Sequence, residues 1–110
     1  MLGIDIIKIS KFKKITQKDY SFWSKFFTKE EWDYSFSRPG PAQSLAGIFA
    51  AKEAVFKAIG SEDKKDFTKI GISHAKSGQP IASIKNIEKT RVNVSISHEK
   101  DYAVAVAIVG

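Results

Sequence analysis

The sequence predicts an α+β domain in which an antiparallel sheet packs on one long alanine-rich helix. Three observations carry this. The chain opens on an apolar strand, Leu2-Gly3-Ile4-Asp5-Ile6-Ile7. Its longest helical pattern runs from Ala42 to Ile59. It closes on a hairpin built from Val92 to Ser97 and Tyr102 to Val109. Strand, then helices, then antiparallel strands is the order of an α+β fold, not of alternating βαβ units. A length of 110 residues fits one compact domain, read as residues 1–110.

In the opening strand, Leu2, Ile4 and Ile6 face one side, and Gly3, Asp5, Ile7 and Ile9 the other. Both faces are largely apolar, so the strand is expected to be buried on both. Ser10 to Ile15 follows as a basic segment of one or two helical turns. Asp19 is placed to cap a helix with the stripe Phe22, Trp23, Phe26 and Phe27. Thr28 and Glu31 form a capping box, with Phe27 and Trp32 spaced as a hydrophobic staple. That helix should end near Ser35 or Phe36, before the breaker Ser37-Arg38-Pro39-Gly40-Pro41.

Gly60 stops the long helix as a C-terminal glycine does. Ser61 to Asp66 reads as a polar loop, Phe67 to His74 as a short strand and Ser77-Gly78-Gln79-Pro80 as a turn. Ile81 to Ile84 is a weaker strand. In the hairpin, Val92, Val94 and Ile96 alternate with polar residues, and His98 to Asp101 make the turn. The alanines of the last strand suit close packing on the alanine-rich helix.

Composition narrows the chemistry. There is no cysteine, so disulfides, thiolate zinc sites and cysteine nucleophiles are excluded. No apolar run is long enough to span a membrane, and the N-terminus reads as a strand, not a signal segment. A cytoplasmic location is expected. The net charge is +6, and residues 1–29 hold seven lysines against two aspartates. Nucleic acid, an anionic membrane or an acidic protein would each suit that charge. A domain this small leaves little interior for a deep pocket, so a large substrate would bind at the surface or between subunits.

The chemistry-bearing residues are few. Asp5 is a carboxylate in an apolar strand, which is costly unless a metal, a cation or several donors meet it. A nearby lysine is the plainer of those partners. Asp5 and Glu53, with no cysteine and few histidines, suit a hard cation, Mg²⁺ before Zn²⁺. Two protein carboxylates do not close a magnesium site, so the ion would keep waters and borrow phosphate oxygens from a substrate. Lys57 stands one turn past Glu53, where it would either add charge to that phosphate or form a surface pair with Glu53. His98, beside the hairpin turn, would bind an anion, move a proton or simply be exposed.

Three blocks, in order and spanning nearly the whole chain, resemble a known family. They are Gly3-Ile4-Asp5-Ile6-Ile7, then Phe49-Ala50-Ala51-Lys52-Glu53-Ala54-Val55-Phe56-Lys57-Ala58-Ile59-Gly60, then Val94-Ser95-Ile96-Ser97-His98 with Tyr102-Ala103-Val104-Ala105. They are similar to the G-x-D-I strand, the F-A-A-K-E-A-x-x-K-A-x-G helix and the S-x-S-H hairpin of the holo-acyl-carrier-protein synthases, the short class of 4'-phosphopantetheinyl transferases. The resemblance implies Mg²⁺-dependent transfer of the phosphopantetheine arm of coenzyme A to a serine of apo-acyl carrier protein, in support of fatty acid biosynthesis. Adenosine 3',5'-bisphosphate is the by-product.

By that resemblance, Asp5 and Glu53 bind Mg²⁺ and form the catalytic pair. Lys57 meets the coenzyme A phosphates, and His98 lies near the nucleotide end. A metal-bound water, or Glu53 acting through a water, takes the serine proton. The resemblance also implies a homotrimer with active sites between subunits, and no nucleic acid or membrane partner. Carrier-protein docking falls to Lys11, with Lys8, Lys14 and Lys18 in support.

Two positions depart from the family pattern. Ile48 and Lys11 stand where the family often has arginine. The first removes a phosphate contact, and the second keeps the charge without the bidentate fork. The competing reading is a non-catalytic basic module that binds nucleic acid or an acidic protein. It accounts for the lysines and leaves Asp5 without a purpose.

Overall fold

A computed structural model describes residues 1–60, 66–85 and 91–110. Strand β1 is Leu2–Lys8, followed by 3₁₀ turns at Ile9–Phe12 and Gln17–Asp19. Helices α1 (Tyr20–Trp23), α2 (Lys29–Ser37) and α3 (Pro41–Ile59) come next. A 3₁₀ turn at Phe67–Lys69 leads into β2 (Ile70–His74) and β3 (Pro80–Ile84), and β4 (Val92–His98) and β5 (Tyr102–Val109) end the chain.

Among the described residues the strands form two antiparallel sheets. The larger has the order β1-β5-β4, and β2-β3 is a separate pair. Its centre, β5, registers Asp5 against Ala105 on one side and Ile96 against Ala105 on the other. Ala103, Ala105 and Ala107 point to the helix side and are buried. They meet α3, whose Ala50, Ala51, Ala54 and Ala58 are fully buried. Small side chains on both surfaces let sheet and helix approach closely, as the alanine pattern requires.

The closest approach is at Gly3. A Cβ placed there would fall 1.9 Å from the Ala54 carbonyl oxygen and 2.7 Å from the Ala58 nitrogen. Only a residue without a side chain fits that contact.

The expectation that β1 is buried on both faces is corrected. Leu2, Ile4 and Ile6 are 67%, 60% and 63% exposed. They register with Ile108, Val106 and Val104 of β5, so one face of the sheet is open and apolar. Helix α3 covers only the other face.

Helix α2 begins as its capping box demands. Thr28 Oγ1 accepts from the Glu31 N–H at 3.2 Å, and Glu31 Oε1 accepts from the Thr28 N–H at 2.8 Å. Phe27 and Trp32 staple the entry, both fully buried with ring centroids 6.0 Å apart. Asp19 caps nothing ahead of it; its carboxylate reaches back to the Thr16 N–H at 2.8 Å. The helix expected after it is a single turn, with Phe26 and Phe27 beyond its end. Gly60 ends α3 in the left-handed conformation, at φ 64°. Phe67 to Lys69 are a 3₁₀ turn leading into β2, and His98 is the last residue of β4 instead of the first of the turn. Of the expected polar loop, residues 61–65 lie outside the described residues.

Candidate active site

Strand β1 and the C-terminal half of α3 bring Asp5 and Lys57 together. Asp5 lies on the helix-facing side of β1, two residues along from Gly3. Because Gly3 sits against the backbone of Ala54 and Ala58, Lys57, next to Ala58 on the helix, reaches the strand. Lys57 Nζ donates to Asp5 Oδ1 at 3.1 Å and to the Ile4 carbonyl at 2.9 Å. The Asp5 side chain is 17% exposed and that of Lys57 is 50% exposed.

The lysine expected to satisfy Asp5 is therefore Lys57, one of the residues singled out for phosphate binding. An ammonium carries three donors. The two described bonds occupy two of them, which leaves one N–H for an anion. Asp5 Oδ2 is likewise left outside the described Lys57 contact.

Glu53 lies one turn before Lys57 and is partly exposed. The carboxylates of Asp5 and Glu53 are hard oxygen donors, and no group of three or more His, Cys, Asp or Glu side chains is poised around a metal among the described residues. That donor set fits Mg²⁺ held by one or two carboxylates and substrate phosphates, and does not fit a closed zinc site.

His98 is brought elsewhere. β4 and β1 flank β5, and His98 is registered through Ala103 with Ile7, so it stands two strand spacings across and two residues along from Asp5, about 12 Å away. His98 is exposed and lines a cleft of about 380 Å³ between α2, the start of α3, β2–β3 and β4. Ile48 forms part of its floor and is only 1% exposed, so this position belongs to the core. Lys8, Lys11, Lys14 and Lys18 are all exposed along β1 and the segment after it.

Sequence reading missed two features. The first is the buried pair of Lys52 and Glu31, whose side chains are 0% and 1% exposed at 2.5 Å. Lys52 Nζ also donates to the carbonyls of Phe26 at 3.0 Å and Phe67 at 3.1 Å, and Glu31 Oε2 accepts from the Ile72 N–H at 2.8 Å. Burial pulls the Lys52 pKa below the usual lysine value, and the Glu31 charge opposes that. The signal was present: Leu45, Ile48, Phe49, Val55, Phe56 and Ile59 surround Lys52 at helical spacing. The second is Arg38, which shares the cleft with Tyr34 and His74. In the sequence, Arg38 is only part of a helix breaker.

In this small α+β fold, the first strand crosses the long helix at the Asp5–Lys57 contact. The sequence profile of the 4'-phosphopantetheinyl transferase superfamily matches residues 1–107, and the chain belongs to that family. Among its relatives, the holo-[acyl-carrier-protein] synthase of Thermodesulfovibrio yellowstonii is 38% identical over 109 residues, covering 98% of this chain and 96% of the relative. A crystal structure of the Helicobacter pylori holo-[acyl-carrier-protein] synthase in complex with coenzyme A superposes with a TM-score of 0.86 at 29% identity, covering 100% of both chains. The Bacillus anthracis synthase in complex with CoA (3',5'-ADP) superposes with a TM-score of 0.82 at 32% identity, covering 98% of this chain and 93% of that one.

Proposed function

We propose that this chain, acting as one transferase domain over residues 1–110, moves the 4'-phosphopantetheine arm of coenzyme A onto a serine of apo-acyl carrier protein. The observation that carries the reading is the Asp5–Lys57 contact beside Glu53, inside a fold shared with coenzyme A-bound synthases.

The serine oxygen bonds to the β-phosphorus of coenzyme A. The bond from that phosphorus to the bridging oxygen breaks, and adenosine 3',5'-bisphosphate leaves with the electron pair. Lys57, tethered to Asp5 and Ile4, presents its remaining N–H to a pyrophosphate oxygen. Asp5 and Glu53 would hold Mg²⁺, which when bound would supply charge to offset that of the pyrophosphate. Glu53 accepts the serine proton through a water. Positioning and charge supply most of the acceleration, because phosphoryl transfer asks for little covalent work from the protein.

Lys11, with Lys8, Lys14 and Lys18, offers an acidic carrier protein an exposed basic edge. No helix among the described residues is long and apolar enough to cross a membrane.

The site is read as lying between subunits of a homotrimer. One feature supports this: the open sheet face of Leu2, Ile4, Ile6 and Ile108 is an exposed apolar patch of the kind that marks an interface.

Intact mass spectrometry of apo-acyl carrier protein, incubated with this protein, coenzyme A and Mg²⁺, tests the reading. A gain of one phosphopantetheine, absent with chelator, is expected. No gain on a folded, competent carrier would overturn it in favour of a basic binding module.

A further inference from the structure

Lys57 is fastened to the strand that carries Asp5. Its ammonium donates to Asp5 Oδ1 at 3.1 Å and to the Ile4 carbonyl at 2.9 Å, two acceptors on consecutive residues of β1. Two residues before Asp5, the Gly3 backbone lies against that of Ala54 and Ala58. The helix that carries Lys57 therefore cannot draw back without opening that contact. The pair is a fixed feature of the strand–helix crossing, not a chance meeting of two surface side chains.

Asp5 is also one of the two carboxylates that suit a hard cation. Glu53, one turn before Lys57 on α3, is the other, and no group of three or more His, Cys, Asp or Glu side chains gathers among the described residues. Asp5, Glu53 and Lys57 together carry one net negative charge. Oxygen sites gain affinity for divalent cations with the charge of their ligands. A cation at Asp5 shares that carboxylate with the Lys57 ammonium, and like charges so close repel. Moving the lysine aside gives up the Ile4 carbonyl as well as Asp5. A pyrophosphate reverses the balance. It adds negative charge, lends oxygens to the metal and accepts the third N–H of Lys57.

Resting on the transferase reading above, we propose that Lys57 is the counter-ion that keeps the Asp5 carboxylate from holding a divalent cation by itself. Metal and the coenzyme A pyrophosphate then bind as a pair, and the protein takes up its metal with its substrate.

Titration of the full chain with Mn²⁺, read from the electron paramagnetic resonance signal of the free ion, tests this without turnover. Wild type is expected to bind Mn²⁺ about tenfold or more tightly with coenzyme A present, after correction for Mn²⁺ taken up by coenzyme A alone. Lys57→Gln removes the charge and should bind Mn²⁺ alone about tenfold more tightly than wild type. Lys57→Arg keeps the charge and should match wild type. The Lys57 side chain is half-exposed, so both variants keep the fold. A Lys57→Gln variant that binds Mn²⁺ alone no better than wild type would overturn the proposal, as would a wild type indifferent to coenzyme A. Asp5→Asn separates the two levels. If it loses Mn²⁺ while Lys57→Gln gains nothing, the counter-ion role fails and the metal site stands. Binding that survives Asp5→Asn strikes the metal reading itself.

Discussion

The Ala54 carbonyl oxygen occupies the space in which Gly3 would carry a Cβ, 1.9 Å from it. The first strand and the long helix therefore touch backbone to backbone. That contact brings Asp5 within reach of Lys57. Gly3→Ala must push the two apart, at a cost of about 1–3 kcal/mol for an overpacked contact. Turnover should fall further than stability does, because the Asp5–Lys57 separation grows with the gap. Thermal unfolding and kcat, measured together, check this. Unchanged kcat in a destabilised protein would detach the site from the strand–helix spacing.

Asp5→Asn separates a catalytic carboxylate from a structural one. Asparagine keeps a bond from Lys57 but loses the charge. A half-exposed lysine pair contributes about 0–1 kcal/mol, so the variant should fold normally. Transfer activity should drop by ~10²-fold or more, the scale of losing one electrostatic group at a reacting phosphate. Near-normal turnover would leave Asp5 as no more than the partner of Lys57.

Lys52→Met should be among the most damaging single changes. It strands the Glu31 carboxylate inside the protein, a loss of about 3–5 kcal/mol. Glu31→Gln added to Lys52→Met should regain part of that, since the amide oxygen still accepts from Thr28 or Ile72. Denaturant midpoints of the single and double variants read this out. A double variant worse than the sum of its parts would contradict an ion-pair origin.

The open sheet face makes assembly testable. Ile4 is 60% exposed in the single chain, so Ile4→Lys leaves the core intact. It should shift sedimentation to the monomer and silence transfer. A wild type that is active as a monomer by light scattering would refute a site shared between copies.

His74 sets a pH limit on stability. Its pKa in the fold lies below the ordinary 6.5, through burial first and the Arg38 charge second. The unfolded chain therefore binds the proton more readily. The corresponding stability is present above pH 6.5 and is lost as pH falls through the depressed folded value. Denaturation curves from pH 7.5 downward should show this loss in wild type and not in His74→Gln. An equal slope in both would assign it to other groups.

Much of the fold was legible because its signals are local. An apolar run gave β1, alternation at Val92, Val94 and Ile96 gave the closing hairpin, and a capping box with its staple gave the start of α2. Gly60 gave the end of α3. Asp5 stood out by its cost in an apolar strand. What failed to read locally were matters of coverage and partnership. The apolar outer face of β1 looked buried, yet α3 covers one side only. Lys57 looked like a partner for Glu53 or a phosphate, and the structure places it on Asp5.

The sequence by itself determined the kinds of element, their order and the few side chains able to do chemistry, because helix and strand periods and glycine stops act over a few residues. Tertiary structure alone decided that Gly3 lets β1 meet the backbone of α3, that Lys52 ends inside the protein opposite Glu31, and that Arg38 lies over Tyr34 and His74. Each of those joins segments of the chain that only packing brings together. Their distances follow from how closely two surfaces approach, which no single segment encodes.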